Sequence, residues 1–339
     1  GELFQEAIGL YYEQNCQQIL GDYESCILLG TRARTLLGLC GMPHGELNYA
    51  VVDSQAEVHL LKSEYADGHL ILNQILQEAL DDQNLSIYGV LLANIAEDEV
   101  FMGSPVDEIQ KKLSSSKEIF ERHSLNREMM FVECYQAALN LREGDMSSLS
   151  FRQCLRAGWG NFSDIVSFCL ERLGDISCWE ASQHPSSWTT VFLAHSSKGK
   201  HRIQIHQALG FLGVFLKEND EATAVSLFAA ALEAFTDMDV HRSRAECMIR
   251  LGDIAKQHGD SLRALELWEA ARPLFKRSSQ TKQIQDIDER LSRISEEVKE
   301  QHMLNVARLA ELNAPAWKAE DVEEDLSEDE LEEKCISLA

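Results

Sequence analysis

Apolar residues along this chain recur at three- and four-residue steps, the period of an α-helix with one buried face. Toward the C-terminal end, Met248, Leu251, Ile254 and Ala255 form one stripe. His258, Gly259 and Asp260 interrupt it, and Leu262, Leu265, Trp268, Ala271 and Phe275 form a second. Two stripes separated by a short glycine-containing break predict an antiparallel helix hairpin. The hairpin has a partial twin: Asp220, Ala224, Phe228, Ala231 and Phe235 precede Asp260, Ala264, Trp268, Ala271 and Phe275 by 40 residues at every position. At the other end, Gly21, Asp22, Ala33 and Leu37 stand 238 residues ahead of Gly259, Asp260, Ala271 and Phe275, close to six such periods. Turn-like acidic residues at Asp67, Asp107 and Asp145 and a polar break from Gln183 to Pro185 continue the step through the middle of the chain.

This period predicts about seven helix hairpins over residues 1–277. Small Gly252, Ala264 and Ala271 let two helix backbones approach, and Leu251, Trp268 and Phe275 fill the space beside them. One hairpin cannot bury its own apolar face. Stacked hairpins build a continuous core through nearest-neighbour contacts alone and curve into a superhelix with a concave side. With only 5 Pro in 339 residues and few Asn-Gly or Asp-Gly turn pairs, a many-stranded alternative is disfavoured. The expected fold is all-α, a right-handed α-solenoid. The Trp159, Trp179 and Trp188 group of the less regular middle is expected in its core, with no enzyme hidden there.

Met248, Leu251, Gly252 and Ala255, followed by Ala264, Trp268 and Ala271, resemble the tetratricopeptide repeat, whose usual step is about 34 residues. The 40-residue step here implies longer helices or loops. The stretches Met238–Ala245 and Ala271–Phe275 are similar to the helical-repeat tails of fungal STAND-type NTPase proteins. That likeness implies, as an alternative, a sensor or regulatory arm of a signalling NTPase whose nucleotide-binding domain lies outside this chain. The chain starts at Gly1, not Met, which suits a piece of something longer. Within it, Gly199 and Lys200 are followed by His201 and lack the upstream glycine of a phosphate loop.

In a tetratricopeptide superhelix the first helix of each hairpin faces the groove. The resemblance therefore implies a peptide groove containing Gln207, Val214 and Lys217 from one hairpin and Ile249, Arg250, Asp253, Lys256 and Gln257 from the next. Protein or peptide segments are the expected partners, and a scaffold or adaptor role follows. Between two helices, His241, Arg242 and Arg244 bring basic groups together in an acidic protein, a candidate anion patch because Arg forks match carboxylate and phosphate geometry.

Charge sharpens the partner class. With 56 acidic and 31 basic residues the net charge is −25, which disfavours nucleic acid and favours basic segments. Nine cysteines, without a Cys-x-x-Cys pair, read as buried thiols of a cytoplasmic protein. No apolar run is long enough for a membrane span. No His-Glu-x-x-His or Gly-x-Ser-x-Gly motif occurs, so no metal, cofactor or catalytic group is expected. After the repeats, Ile284, Ile287, Leu291, Ile294 and Val298 predict one capping helix within 278–313. Residues 314–339 read as a disordered acidic tail: ten acidic residues and one Lys between Ala319 and Lys334 supply −9 of the total.

Overall fold

A computed structural model describes residues 1–145, 149–179 and 186–313, with the side chains of 179, 186 and 309–313 outside the description. The polar break at Gln183–Pro185, Cys335 and the acidic tail lie outside the described residues. The described residues form sixteen α-helices and no strand. In chain order these are α1 (Glu2–Leu20), α2 (Tyr23–Leu39), α3 (Glu46–Lys62), α4 (Tyr65–Asp81), α5 (Leu85–Met102), α6 (Val106–His123), α7 (Asn126–Arg142) and α8 (Leu149–Gly158). They continue as α9 (Ser163–Trp179), α10 (Ser186–Gly199), α11 (Arg202–Leu216), α12 (Glu221–Asp237), α13 (His241–Gln257), α14 (Ser261–Arg277), α15 (Thr281–Ser292) and α16 (Glu296–Asn313). The first fifteen belong to a compact unit, Gly1–Arg293; α16 lies in a second unit beginning at Ile294.

Helices α1–α14 pair in order as antiparallel hairpins, each packed on the next, which makes the unit an all-α solenoid. Local chemistry places the boundaries. Asp22, Asp220 and Asp260 each cap the second helix of a hairpin, accepting from the backbone N–H of Ser25, Thr223 and Arg263. Asp67 and Asp107 fall in the first turns of the equivalent helices α4 and α6. The 40-residue register carries over to burial: Ala224, Phe228, Ala231 and Phe235 are as enclosed as Ala264, Trp268, Ala271 and Phe275. The fit is tight where aromatic meets glycine. A Cβ on Gly213 would lie 2.7 Å from the Phe228 ring, and one on Gly252 2.6 Å from the Trp268 indole nitrogen.

The odd-numbered helices form the inner layer. Neighbours from α1 to α11 touch in sequence, and α11 returns to touch α1, so six inner helices close a ring. The seventh hairpin then stacks on the first winding. This overturns the expectation of nearest-neighbour contacts alone, and the reason is curvature: six hairpins complete a turn, so the next must meet the first ones. The seam has an apolar part, in which Tyr23, Cys26 and Val58 pack with Ala231, Phe235, Met238, Val240 and Cys247. Gly21 lies at φ 78°, and a Cβ there would sit 2.5 Å from the Met238 sulfur. It also has a polar part. Glu64, in the α3–α4 turn, accepts from His59 at 2.9 Å, His241 at 3.1 Å and Arg277 at 2.5 Å, with Lys62 at 3.4 Å. Gln280 completes it by donating to the Phe101 carbonyl at 3.1 Å.

Two further expectations change. The single helix across 278–313 is broken between α15 and α16, where Ser295 stands ahead of Glu296 and Glu297. A serine followed by acidic residues favours a new helix start over continuation. The α15 segment lies on α14, and its Arg290 makes a two-pronged ion pair with Asp253 of α13 at 2.9 and 3.2 Å. Trp159 is 56% exposed because it follows Gly158 in the turn after α8, whereas Trp188 is partly buried under the Arg152 guanidinium.

Candidate functional site

The inward faces of α1, α3, α5, α7, α9, α11 and α13 enclose a channel of about 640 Å³. Its walls repeat at the period of the hairpins. Asp53, Asn94, Tyr135, Arg172, Phe211 and Arg250 occupy matching places on α3 to α13, 37 to 41 residues apart. Adjacent members interact: Asn94 donates to Asp53 at 2.7 Å, and the Tyr135 hydroxyl reaches the Asn94 carbonyl oxygen at 3.5 Å. A polar ladder therefore runs from helix to helix around the wall.

The lining mixes charge with aromatic surface. Nine acidic residues face four arginines, of which Arg127, Arg172 and Arg242 pair with acidic neighbours while the buried Nε of Arg172 has no hydrogen-bond partner. Arg127 pairs with Asp164 and Glu128 and lies 5.1 Å from the Phe131 ring centre. Arg172 stacks on Phe101 and Phe168 at 4.8 and 5.2 Å and pairs with Glu171. Arg242 donates to Glu246 at 2.9 Å, and Arg250 reaches toward the Phe228 ring at 5.9 Å.

Four channel-lining carboxylates of α3 and α5 have no such company. Asp53, Glu57, Glu97 and Asp98 make no ion pair among the described residues. Burial raises the pKa of all four above the carboxylate range, to about 8 for Glu97 and about 9 for Asp98. Asp98 is pushed further by the negative charges of Glu97, Asp53 and Glu99. Its side chain is 2% exposed, and its Oδ2 has no hydrogen-bond partner. Glu57 keeps exposed surface on the channel side even though protein surrounds its charge.

Of the residues expected in a groove, Gln207 and Arg250 line this channel. Lys217, Asp253, Lys256 and Gln257 line a separate hollow with Trp268 and Arg290, where α15 lies over the C-terminal part of α13. Val214 packs into the core beside Phe228, and Ile249 is half-buried. The three basic candidates take different places. His241 is bound to Glu64 at the seam, Arg242 faces the channel, and half-buried Arg244 has a buried Nε without a hydrogen-bond partner. They do not form one anion patch, because successive helical positions point to different neighbours.

The channel residues of α1 to α9 were not identified from sequence, since the middle repeats lacked a register. One signal was present: α5 is a strongly apolar helix that nonetheless carries Asn94, Glu97 and Asp98 on one face.

Two other clusters of reactive side chains lie away from the channel. Glu64 brings ligand atoms within 4.8 Å of His59 and Asp67, and of Asp239 and His241, but Lys62 and Arg277 already occupy its carboxylate. Burial alone would raise the Glu64 pKa; hydrogen bonds from His241 and His59, with the charges of Lys62 and Arg277, hold it instead at about 2. In the core, the Cys134 and Cys169 sulfurs lie 3.6 Å apart, both free and buried.

No known family model matches the chain, and no curated protein matches it in sequence.

Proposed function

We propose that this protein is a non-catalytic, tetratricopeptide-like scaffold that takes up a protein segment in its inner channel. The observation that carries this reading is the wall: one helix from each of seven hairpins contributes to one continuous surface, on which acidic groups outnumber arginines nine to four. A regular ladder of polar and aromatic side chains along an enclosed groove suits an extended chain, whose backbone and alternating side chains repeat at short intervals. The acidic excess favours basic segments. Free thiols, most of them buried or half-buried, support a reducing compartment and hence action in the cytoplasm. Among the described residues no helix is long and apolar enough to cross a membrane.

The test is photo-crosslinking with the full chain. A benzoylphenylalanine replacing Phe131 faces the channel, and one replacing Leu28, 70% exposed on α2, serves as the outer control. Peptides selected from a random library for binding in solution are expected to crosslink from position 131 and not from position 28. The reverse pattern, or selected peptides whose affinity is unchanged by Arg172→Glu, would remove the channel as the binding surface.

A further inference from the structure

We infer that Asp53, Glu57, Glu97 and Asp98 form a seat for an alkylammonium group, the side chain of a lysine in the segment held by the channel. This deepens the proposed function by naming the chemistry recognised at one place along it.

The four carboxyl groups sit on adjacent inner helices; Glu57 and Asp98 hold matching repeat positions 41 residues apart, as do Asp53 and its partner Asn94. All four border the channel. Asp53 accepts from Asn94 at 2.7 Å, and neutral side chains stand beside two others, Gln18 of α1 by Glu57 and Tyr135 of α7 by Glu97. The fourth, Asp98, is nearly fully enclosed and has none, and α4 presents only the bare backbone of Gly68 to it. A buried acceptor with no donor is costly to retain, and because Oδ2 itself is closed off beside α4, a cation seated on the quartet compensates Asp98 through its charge.

The surrounding charges do not fill this role. Arg127 is held by Asp164 and Glu128, and Arg172 by two aromatic rings and Glu171, so each acts on the quartet only at a distance. Asp164 and Glu171 on α9 add negative charge, as does Glu99 of α5, which is itself paired to Lys112 of α6. No three of the quartet's oxygens gather within 4.8 Å of one another, as they would around a single metal ion. An ammonium group does not need three of them: two carboxylate oxygens can take two of its N–H donors and leave the third to water in the channel.

Proton linkage supplies the signature. Glu97 and Asp98 hold protons at neutral pH because burial raises their pKa values to about 8 and about 9. Seating a cation restores the charged carboxylates, so binding must release protons and tighten as pH rises toward the lysine pKa of about 10.4.

Three probes test this on the full chain by calorimetry at pH 7.5 in two buffers of different ionisation enthalpy: acetylated tetralysine amide, its tetraglutamine counterpart, and spermidine. Tetralysine is expected to bind at least tenfold more tightly than tetraglutamine and to release about one proton or more. Glu97→Gln with Asp98→Asn should cost at least tenfold in affinity and abolish that release. Asp98→Asn alone, a smaller change, should reduce both. Glu323→Gln with Glu324→Gln removes equal charge from the tail and should change neither. Tetralysine binding that keeps its affinity and proton release in the channel variants overturns the seat. If library peptides still crosslink from position 131 in that case, the channel reading stands without it. Proton-linked spermidine binding that fails in the double variant, with no peptide binding at all, upholds the ammonium seat and removes the peptide.

Discussion

Two buried groups of charge, both built on the α3–α5 region, have opposite fates. At the seam, Glu64 is 4% exposed yet surrounded by His59, Lys62, His241 and Arg277, and its pKa falls to about 2. In the channel, Glu97 is half-buried and Asp98 enclosed, neither makes an ion pair among the described residues, and their pKa values rise to about 8 and 9. Burial disfavours charge in both places, and the partners decide which way the balance falls. The seam resolves the conflict within the fold. The channel leaves it open, and an uncompensated buried acid is the mark of a site completed by something else.

The largest effect is expected from breaking the satisfied cluster. Glu64→Gln removes the one anion that meets Lys62, Arg277 and the rings of His59 and His241, and should destabilise the protein by about 3–5 kcal/mol in urea denaturation, the range seen when one partner of a buried ion pair is lost. Gly21→Ala attacks the apolar half of the seam. A side chain at φ 78° is strained, and its Cβ would collide with Met238, so a loss of about 2 kcal/mol is expected by the same measurement.

The contrast also has a pH signature. Glu97 and Asp98 retain protons in the folded state between the unfolded carboxyl range and pH 8–9, so unfolding releases protons there and stability falls as pH rises through that window. Glu64 acts in the other direction: its contribution is complete above the unfolded value of 4.5 and is lost as pH falls toward 2. In thermal melts from pH 5.5 to 9, Glu97→Gln with Asp98→Asn should flatten the decline and raise the midpoint at pH 9, by about 1–2 °C for each kcal/mol recovered. The smallest change is Lys62→Met. With Arg277 and the rings of His59 and His241 still on Glu64 it should cost about 0.5–1 kcal/mol in urea denaturation, which separates a redundant donor from the indispensable acceptor.

The helices and their antiparallel pairing were legible because each has a simple physical marker. Asp22, Asp220 and Asp260 signal helix starts, and Ala224, Phe228 and Ala231 recur 40 residues later as buried equivalents. The first-helix rule pointed to α11 and α13, and Gln207 and Arg250 do line the channel. Lys217, Asp253 and Lys256 were assigned to the same surface because a periodic pattern cannot show that α15 lies over that end. Ring closure was illegible for a similar reason. It depends on the small rotation between hairpins, which no individual residue encodes. His241 looked like a surface base in sequence, and only the returning winding shows its acidic partner 177 positions earlier.

A coil whose second winding is riveted to its first cannot lengthen like a spring. At that joint, sideways entry between windings is shut, so a polypeptide held as proposed would reach the interior by threading along the axis or by waiting for the rivet to open. Free ends would pass readily, whereas a segment flanked by folded domains would exchange at the slow pace of that opening. Residence time, more than contact energy, would then distinguish one client from another.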